Sequence, residues 1–286
     1  MSIVRQRSGF TLIELMLSMA MMLMVGGAVY QLLVTTQRLA RTQAEQLSLQ
    51  SSVRNGALVI ANELRELSTA EGEGRDQNDI LSIAASGMVY RAMRGTGVVC
   101  QPPTATQIRI GRNGFSGYRD PQPGRDSAYV FLGGSAETYE DDAWLPVAIT
   151  SVSSVTPCPG SGGPGFTLTI PANSLLVGIP AGTPVRVYEI MEVKLYRSEE
   201  RSWLGARSVS SGEAIQPVLG PLTDGDGLRL EYFAAAGVPT NDVTAIKSIG
   251  VTIRGITENR LSSGGLQGRH AEEELTTQVA LRNAFH

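Results

Sequence analysis

The sequence predicts an α+β protein in which a long N-terminal α-helix packs on an antiparallel β-sheet C-terminal domain. No proline occurs before Pro102, and apolar residues or strong helix formers fill the chain from about Phe10 to Leu67. From Ile80 onward, short segments alternate apolar and polar side chains, as strands with one buried face do. The chain has 32 glycines and 14 prolines but only 18% charged residues, which favours a turn-rich β domain.

The first half of the predicted helix is long and apolar enough to enter a membrane. The apolar run extends from Phe10 to Val34, and about 20 apolar residues suffice to cross a bilayer. Arg5 and Arg7 precede the run and favour a cytoplasmic N-terminus, whereas Arg38 and Arg41 follow it and weaken that asymmetry.

The second half of the helix is predicted to pack on the globular domain. Its apolar residues recur at steps of three and four and form one stripe: Val53, Ala57, Ile60, Leu64 and Leu67. Gly56 is a mild weakness, since glycine costs about 1 kcal/mol against alanine inside a helix. We expect the helix to end near 70–74.

The predicted strands all lie beyond the helix. They are Ile80–Ile83, Gly87–Met93, Gln107–Ile110, Ser127–Leu132, Phe166–Ile170, Pro184–Ile190 continuing into Met191–Arg197, Ser202–Arg207, Leu228–Phe233, Ile246–Arg254 and Glu274–Asn283. The segment from Gly111 to Arg125 is rich in Gly, Pro, Arg and Asp, so it is predicted to be an exposed loop.

The most informative segment is Ser8-Gly9-Phe10-Thr11-Leu12-Ile13-Glu14-Leu15. A charged side chain at lipid depth costs roughly 2.5–3.5 kcal/mol, so Glu14 marks a functional site by default. A secretory signal peptide is cut after its apolar region, at small residues. Here the small residue, Gly9, comes before the apolar region, so cleavage after it would leave the apolar helix as the new N-terminus.

The segment from Arg7 to Leu15 resembles the class III signal of type IV prepilins and type II secretion pseudopilins. The resemblance implies that a prepilin peptidase cuts between Gly9 and Phe10, N-methylates Phe10, and leaves Glu14 to act in assembly. Since a helix N-terminus favours negative charge, Glu14 is expected to face its own Phe10 amine or that of a neighbouring pilin. The alternative, an ordinary signal anchor, does not explain Glu14.

The same resemblance implies the domain organisation and the cellular location. Residues 1–9 are the leader peptide, 10–34 the transmembrane half of the helix, 35–68 its periplasmic half, and 69–286 the globular antiparallel β-rich head domain. The chain is expected to cross the inner membrane once, with its N-terminus cytoplasmic and its head periplasmic, and later to enter a pilus at the cell surface.

The pattern of the last third resembles, more loosely, the PilW family of minor pilins and the J-type minor pseudopilin of type II secretion. The matching segments are Val187–Ile190, Leu195–Arg197, Leu228–Phe233, Ile246–Ile253 and Leu281–Asn283. The first resemblance implies a structural subunit that helps to initiate pilus assembly near the pilus tip. Its implied partners are other minor pilins, the major pilin, the prepilin peptidase and the inner-membrane assembly platform, with a tip adhesin as a further candidate.

The two cysteines, Cys100 and Cys158, are both placed beyond the membrane by this orientation. Disulfides persist in that oxidising compartment, so a bridge between them is predicted, worth about 4 kcal/mol by chain entropy. Two unpaired or separately buried thiols remain the alternative.

Other chemistry finds little support in the sequence. Only His270 and His286 are present, no catalytic arrangement suggests itself, and neither an enzyme nor a cofactor nor a metal is expected. The Asp224-Gly225-Asp226-Gly227 segment resembles part of a calcium loop, but a plain turn is favoured. A role in binding DNA or a surface rests only on arginines that nearby aspartates dilute, and no nucleic acid is expected as a partner: Arg109, Arg112, Arg119 and Arg125, beside Asp120 and Asp126.

Overall fold

The computed structural model describes residues 9–69, 78–134, 142–154, 157–159, 165–262 and 265–282. Within them lie one α-helix, α1 (Leu12–Arg65, 54 residues), and fourteen β-strands. This architecture confirms the predicted α+β class, with a long apolar N-terminal helix and a large antiparallel sheet. Residues 1–8 of the predicted leader and the predicted helix stop at 70–74 lie outside the described residues.

The strands follow one another along the chain as β1 (Ile80–Ala84), β2 (Gly87–Gln101), β3 (Gln107–Gly111), β4 (Ser116–Gly117), β5 (Asp126–Leu132), β6 (Ala143–Ala148), β7 (Ser151–Ser153), β8 (Gly165–Thr169), β9 (Pro184–Ser198), β10 (Arg201–Ser208), β11 (Gln216–Leu222), β12 (Leu228–Phe233), β13 (Ser248–Ile256) and β14 (Glu272–Ala280).

The pairings among the described strands are all antiparallel. The main path runs β12-β13-β11-β10-β9-β2-β3-β8-β7, and its centre is the pair of 15-residue strands β2 and β9. β14 pairs with β13 on one side and has no second partner among the described strands, so it is an edge strand.

By its contacts the chain divides into two units. The first unit comprises Met1–Leu49 and Thr257–Ala271, and the second comprises Gln50–Ile256 and Glu272–His286. We call Thr257–Ala271, the connection between β13 and β14, the strap.

In the first unit the strap lies against the helix. The Asn259 side-chain amide donates to Glu45 Oε1 at 2.7 Å, and the Ser262 hydroxyl donates to the carbonyl of Arg38 at 3.2 Å. Leu261 of the strap and Thr42 of the helix are both buried. The strap is therefore seated on the helix segment that directly follows the apolar run.

In the second unit the last four turns of α1 bury one stripe of side chains. Val53, Ala57, Ile60 and Leu64 are all less than 7% exposed, as the helical spacing predicts. A Cβ added at Gly56 would overlap the Leu219 Cδ2 atom of β11. Gly56 is therefore a position at which the helix packs closely against a side chain of the sheet, rather than only a weak point of the helix.

The core of the head lies between strands that are far apart in sequence. Buried apolar side chains from β2, β3, β5, β6, β8 and β9, and from the segments that follow β6 and β8, form one cluster. Its members are Val99, Ile108, Ile110, Ala128, Val130, Val147, Ile149, Phe166, Leu168, Ile170, Leu176, Ile179, Val185 and Val187.

The predicted exposed loop from Gly111 to Arg125 is partly wrong. Gly111 ends β3, and Ser116–Gly117 form β4 against β2. The side chains of Arg119 and Arg125 are only 25% and 30% exposed, because both pair with buried carboxylates.

Candidate functional site: the start of the long helix

The first turn of α1 is closed by two reciprocal contacts between Thr11 and Glu14. The Glu14 backbone N–H donates to Thr11 Oγ1 at 3.3 Å, and the Thr11 backbone N–H donates to Glu14 Oε2 at 3.2 Å. The Thr11 hydroxyl also donates to Glu14 Oε2, at 3.1 Å. This is a capping box, in which two otherwise unpaired helix N–H groups find partners.

The capping box gives Glu14 a role within its own chain. Its negative charge also lies in the first turn, where it is favoured by the helix dipole. This role was not predicted, although the pattern Thr-x-x-Glu before an apolar run is the sequence signal for such a cap. Both bonds from Thr11 end on Oε2, so Oε1 remains available to a further donor.

Gly9 and Phe10 precede the first turn in an exposed stretch, with Phe10 82% exposed. A Cβ built at Gly9 would meet nothing within 4 Å among the described residues, and the backbone there is not left-handed. Neither packing nor backbone geometry therefore requires a glycine at position 9. A requirement for glycine would have to come from outside the chain, from whatever binds this segment.

The helix surface that follows is apolar and uncovered. An 18-residue window of α1 has a mean hydropathy of 2.0 with none of it buried, so by length and composition the helix can cross a membrane. Met22, Leu23 and Met24 are each more than 70% exposed. The helix continues through Gly26 and Gly27, where an added Cβ would meet nothing within 4 Å.

Cys100 and Cys158 are brought together in the head. Their sulfur atoms are bonded, and their Cα atoms lie 5.7 Å apart across a sequence separation of 58 residues. The bridge joins the end of β2 to the segment that precedes β8. Cys158 is 3% exposed.

A partly buried group of charges lies where β9, β2 and β5 meet, and we call it the Glu189 cluster: Glu63, Arg94, Arg119, Arg125, Asp126, Glu189 and Glu213. The Glu189 side chain is 2% exposed and accepts from Arg94 Nε at 2.9 Å and Arg125 Nε at 2.5 Å. Asp126, fully buried, accepts two bonds from Arg119 at 2.5 and 2.8 Å.

The cluster ties α1 to the sheet. Arg94 reaches Glu63 of the helix at 3.0 Å as well as Glu189 of β9. Burial acts to raise the pKa of Glu189, but hydrogen bonds from Ser208 and Arg94 outweigh it and the pKa lies below its ordinary value. Each buried carboxylate is thus matched by guanidinium groups, as a structural ion network requires.

The arginines considered for binding DNA all have hydrogen-bond or ion-pair partners within the head. Arg112 pairs with Asp120 at 2.8 Å, and Arg109 donates to Gln101 Oε1 at 2.8 Å. Arg119 and Arg125 belong to the Glu189 cluster. The four side chains therefore do not form a free basic surface, and this observation argues against nucleic acid as a ligand at this place.

The remaining candidate groups also have structural partners. Asp224 accepts from the Ser202 hydroxyl at 2.6 Å, and Asp226 accepts from the Thr223 hydroxyl at 2.7 Å and pairs with Arg254. Residues 224–226 form a turn. Over the described ranges, no three His, Cys, Asp or Glu side chains lie close enough to hold a metal ion.

Comparison with known proteins bears on the start of the helix. Residues 4–30 match the family model of the prokaryotic N-terminal methylation motif. The match supports a type IV pilin or pseudopilin. It spans the positions that the sequence singled out, namely Gly9, Phe10 and Glu14. Neither the curated proteins nor the solved structures contain a match to the chain.

The methylation motif and the apolar helix that follows it indicate the same class of protein. A class III signal followed by an apolar helix is consistent with a membrane-anchored pilin. Pilin-like proteins are structural subunits rather than enzymes, and the motif implies a prepilin peptidase and other pilus components as partners. The head domain, in contrast, has to be interpreted from its own geometry.

Proposed function

We propose that this chain is a minor pilin of a type IV pilus, a structural subunit that helps to initiate assembly near the pilus tip. The observation that supports it best is the methylation motif at residues 4–30, directly followed by an uncovered apolar helix. Its partners would be other minor pilins, the major pilin and the inner-membrane assembly platform, and a tip adhesin is a further candidate. The size of the head and the strand pattern of its last third favour the PilW family within the superfamily.

In this proposal the prepilin peptidase cuts between Gly9 and Phe10 and then N-methylates Phe10. The helix remains in the inner membrane with its start on the cytoplasmic side and the head in the periplasm, where the Cys100–Cys158 bridge persists. Exposure of Gly9 and Phe10, together with the lack of any internal reason for a glycine, supports recognition of this segment by the peptidase.

In this proposal each of the two carboxylate oxygens of Glu14 has its own role. Oε2 keeps the first turn closed through Thr11, while Oε1 accepts from the positively charged Phe10 amine of a neighbouring subunit. A charge-assisted hydrogen bond contributes more than a neutral one, about 1.5–3 kcal/mol net. Such a pair forms only when the two helices stand in one axial register, and it would thereby set the stagger between subunits.

Three variants distinguish the helix-capping role of Glu14 from the role of its negative charge. Glu14→Gln keeps the capping-box pattern, since glutamine also serves at that position, but it removes the charge. Glu14→Leu removes both, and Thr11→Val removes the hydroxyl of the cap while it keeps the charge. All three should still insert in the membrane, which membrane fractionation checks.

We expect Glu14→Gln and Glu14→Leu to lower the amount in sheared pili by about tenfold or more, the factor that corresponds to losing a charge-assisted bond. Thr11→Val should enter pili within about threefold of the natural chain, since a cap contributes about 1 kcal/mol and only part of it is lost. Normal incorporation of Glu14→Gln would show that Glu14 acts through capping alone and would refute the pairing.

A J-type minor pseudopilin of type II secretion is the second candidate, because the same motif occurs in pseudopilins. Gene neighbours distinguish the two. A locus with other minor pilins and a large adhesin favours the pilus, whereas an operon that contains a secretin and exporter components favours secretion.

A further inference from the structure

The strap and the helix segment on which it lies together carry more positive than negative side chains. Arg260 and Arg269 of the strap are exposed, as are Arg38 and Arg41 of the helix. None of these four guanidinium groups forms an ion pair among the described residues, while Arg260 Nη1 donates to the carbonyl of Gly268 at 3.1 Å. The acidic groups of the same segments are Glu45, which is held by Asn259, and Glu258. This local excess runs against the net charge of the chain, which is −3.

The strap is a built element rather than a loose loop. The Leu261 N–H donates to the carbonyl of Arg269, and the Gly268 N–H donates back to Leu261, both at 2.8 Å. At its base the Thr257 N–H donates to Ala271 at 2.9 Å. Leu261, Thr257 and Ala271 are all buried. The arginines are therefore presented from a fixed hairpin.

The order of contacts shows which way the strap runs along the helix. Asn259 bonds Glu45, and three residues later Ser262 bonds the carbonyl of Arg38. From Glu45 to Arg38 is about 10 Å toward the helix N-terminus, at about 1.5 Å per residue. From Asn259 to Ser262 the strap thus runs toward the apolar run. Leu266 of the strap is 41% exposed.

The distance from the apolar run places Arg38 at the height of lipid headgroups, whereas Arg41 and the strap arginines lie farther out along the helix. Arg38 follows Val34, the last residue of the run, by four positions, or about 6 Å along the helix. The headgroup region extends roughly 5–7 Å beyond the hydrocarbon on each side of a bilayer. Arginine side chains at this depth meet phosphate groups, and an exposed leucine beside them can enter the interface.

We propose that the strap, with Arg38 and Arg41, docks on anionic phospholipid headgroups of the leaflet from which the helix emerges. The proposal rests on the membrane anchorage within the proposed function, but not on the pilus. Each arginine near an anionic surface favours the docked state by about fivefold. Removing two of them should therefore shift the equilibrium by about 25-fold.

The experiment uses the full-length chain in vesicles of phosphatidylcholine alone or of phosphatidylcholine with phosphatidylglycerol. Flotation of the chain with the vesicles verifies anchorage first. Hydrogen–deuterium exchange then reports on the strap amides over residues 257–262 and 265–271. We expect them to exchange several-fold more slowly in the phosphatidylglycerol vesicles, with the difference lost at high salt because the charges are screened.

The decisive variant is Arg260→Gln with Arg269→Gln, which should lose most of the difference in exchange between the two vesicle types. The matched control is Arg197→Gln with Arg229→Gln, two exposed arginines of β9 and β12 that carry the same charge change. This control should keep the protection. Equal exchange in the two vesicle types, or protection that arises only after another pilin subunit is added, would overturn the proposal. A chain that does not float would refute the anchorage itself.

Discussion

Asp79 is hydrogen-bonded to the segment that directly follows α1. The pH dependence of stability that this buried carboxyl causes provides a sharp test of the fold. Its side chain accepts from the Ser68 N–H at 2.8 Å, and its own N–H donates to the Ser68 carbonyl at 2.8 Å. Asp79 is 3% exposed. Burial raises the pKa of this carboxyl from 3.8 to about 7, although the Ser68 hydrogen bond and the charge of Arg91 oppose the rise.

A raised pKa means that the folded chain binds the Asp79 proton more tightly than the unfolded chain does. The contribution of Asp79 to the free energy of unfolding is therefore largest below pH 3.8. It falls as the pH rises toward 7 and is lost above that pH. The difference between the unfolded and folded pKa values of Asp79 corresponds to about 4 kcal/mol of unfolding free energy, at about 1.36 kcal/mol per pH unit. Asp79→Asn cannot ionise and keeps an oxygen for the Ser68 N–H, so its stability should lack this slope.

The assay is urea unfolding of the detergent-solubilised chain, followed by tryptophan fluorescence between pH 4 and pH 8. We expect the free energy of unfolding of Asp79→Asn, relative to the natural chain, to rise with pH by up to about 4 kcal/mol. Asp242→Asn is the control. Hydrogen bonds from Thr244 lower the pKa of the exposed Asp242, so its contribution is lost only below pH 3.8, outside the window. A difference between Asp79→Asn and the natural chain that stays constant across the window would refute the argument.

Two further predictions concern the head. Glu189→Gln should lower the free energy of unfolding by about 3 kcal/mol, because the guanidinium groups around it lose their negative partner. Glu231→Gln, in the exposed pair with Arg229, should lower it by less than about 1 kcal/mol. Similar losses for the two variants in urea unfolding would mean that the Glu189 cluster is not energetically buried. Cys100→Ser with Cys158→Ser should cost about 4 kcal/mol, from the 58-residue loop that the bridge closes. Mass spectrometry without reductant should find the natural chain two hydrogens lighter than the dithiol, and free thiols there would contradict the bridge.

The helix could be predicted closely because its signals are local. The absence of proline and the apolar stripe gave a helix from about Phe10 to Leu67, and α1 spans Leu12–Arg65. The strand pairs β9–β10 and β12–β13 were likewise visible as alternating segments. Such patterns report burial of one face, which needs no knowledge of the partner.

Two of the strands that were missed, β6 and β11, contain prolines, which sequence rules treat as breakers. β6 and β11 carry Pro146, Pro217 and Pro221, and β6 tolerates its proline because it pairs only with β5 and lies at an edge. β2 was predicted to end at Met93 but continues to Gln101 through Gly95 and Gly97. A Cβ at Gly95 would overlap Phe115, so that glycine makes room for a ring.

The site was predictable in part. The motif pointed to Gly9, Phe10 and Glu14, and the family model matches the same stretch. Thr11 as partner of Glu14 was readable from its spacing and was overlooked. The Glu189 cluster could not be read, because Arg94 and Glu189 are 95 residues apart and only the pairing of β2 with β9 brings them together.

The edge strand β14 has a consequence for how copies of this protein meet. An open strand edge can capture the edge of another molecule and start a self-templating fibre. β14 begins with three consecutive glutamates, Glu272, Glu273 and Glu274, and half of its other six side chains are polar. Two such edges brought together would repel each other. This repulsion guards the edge of the sheet against uncontrolled polymerisation.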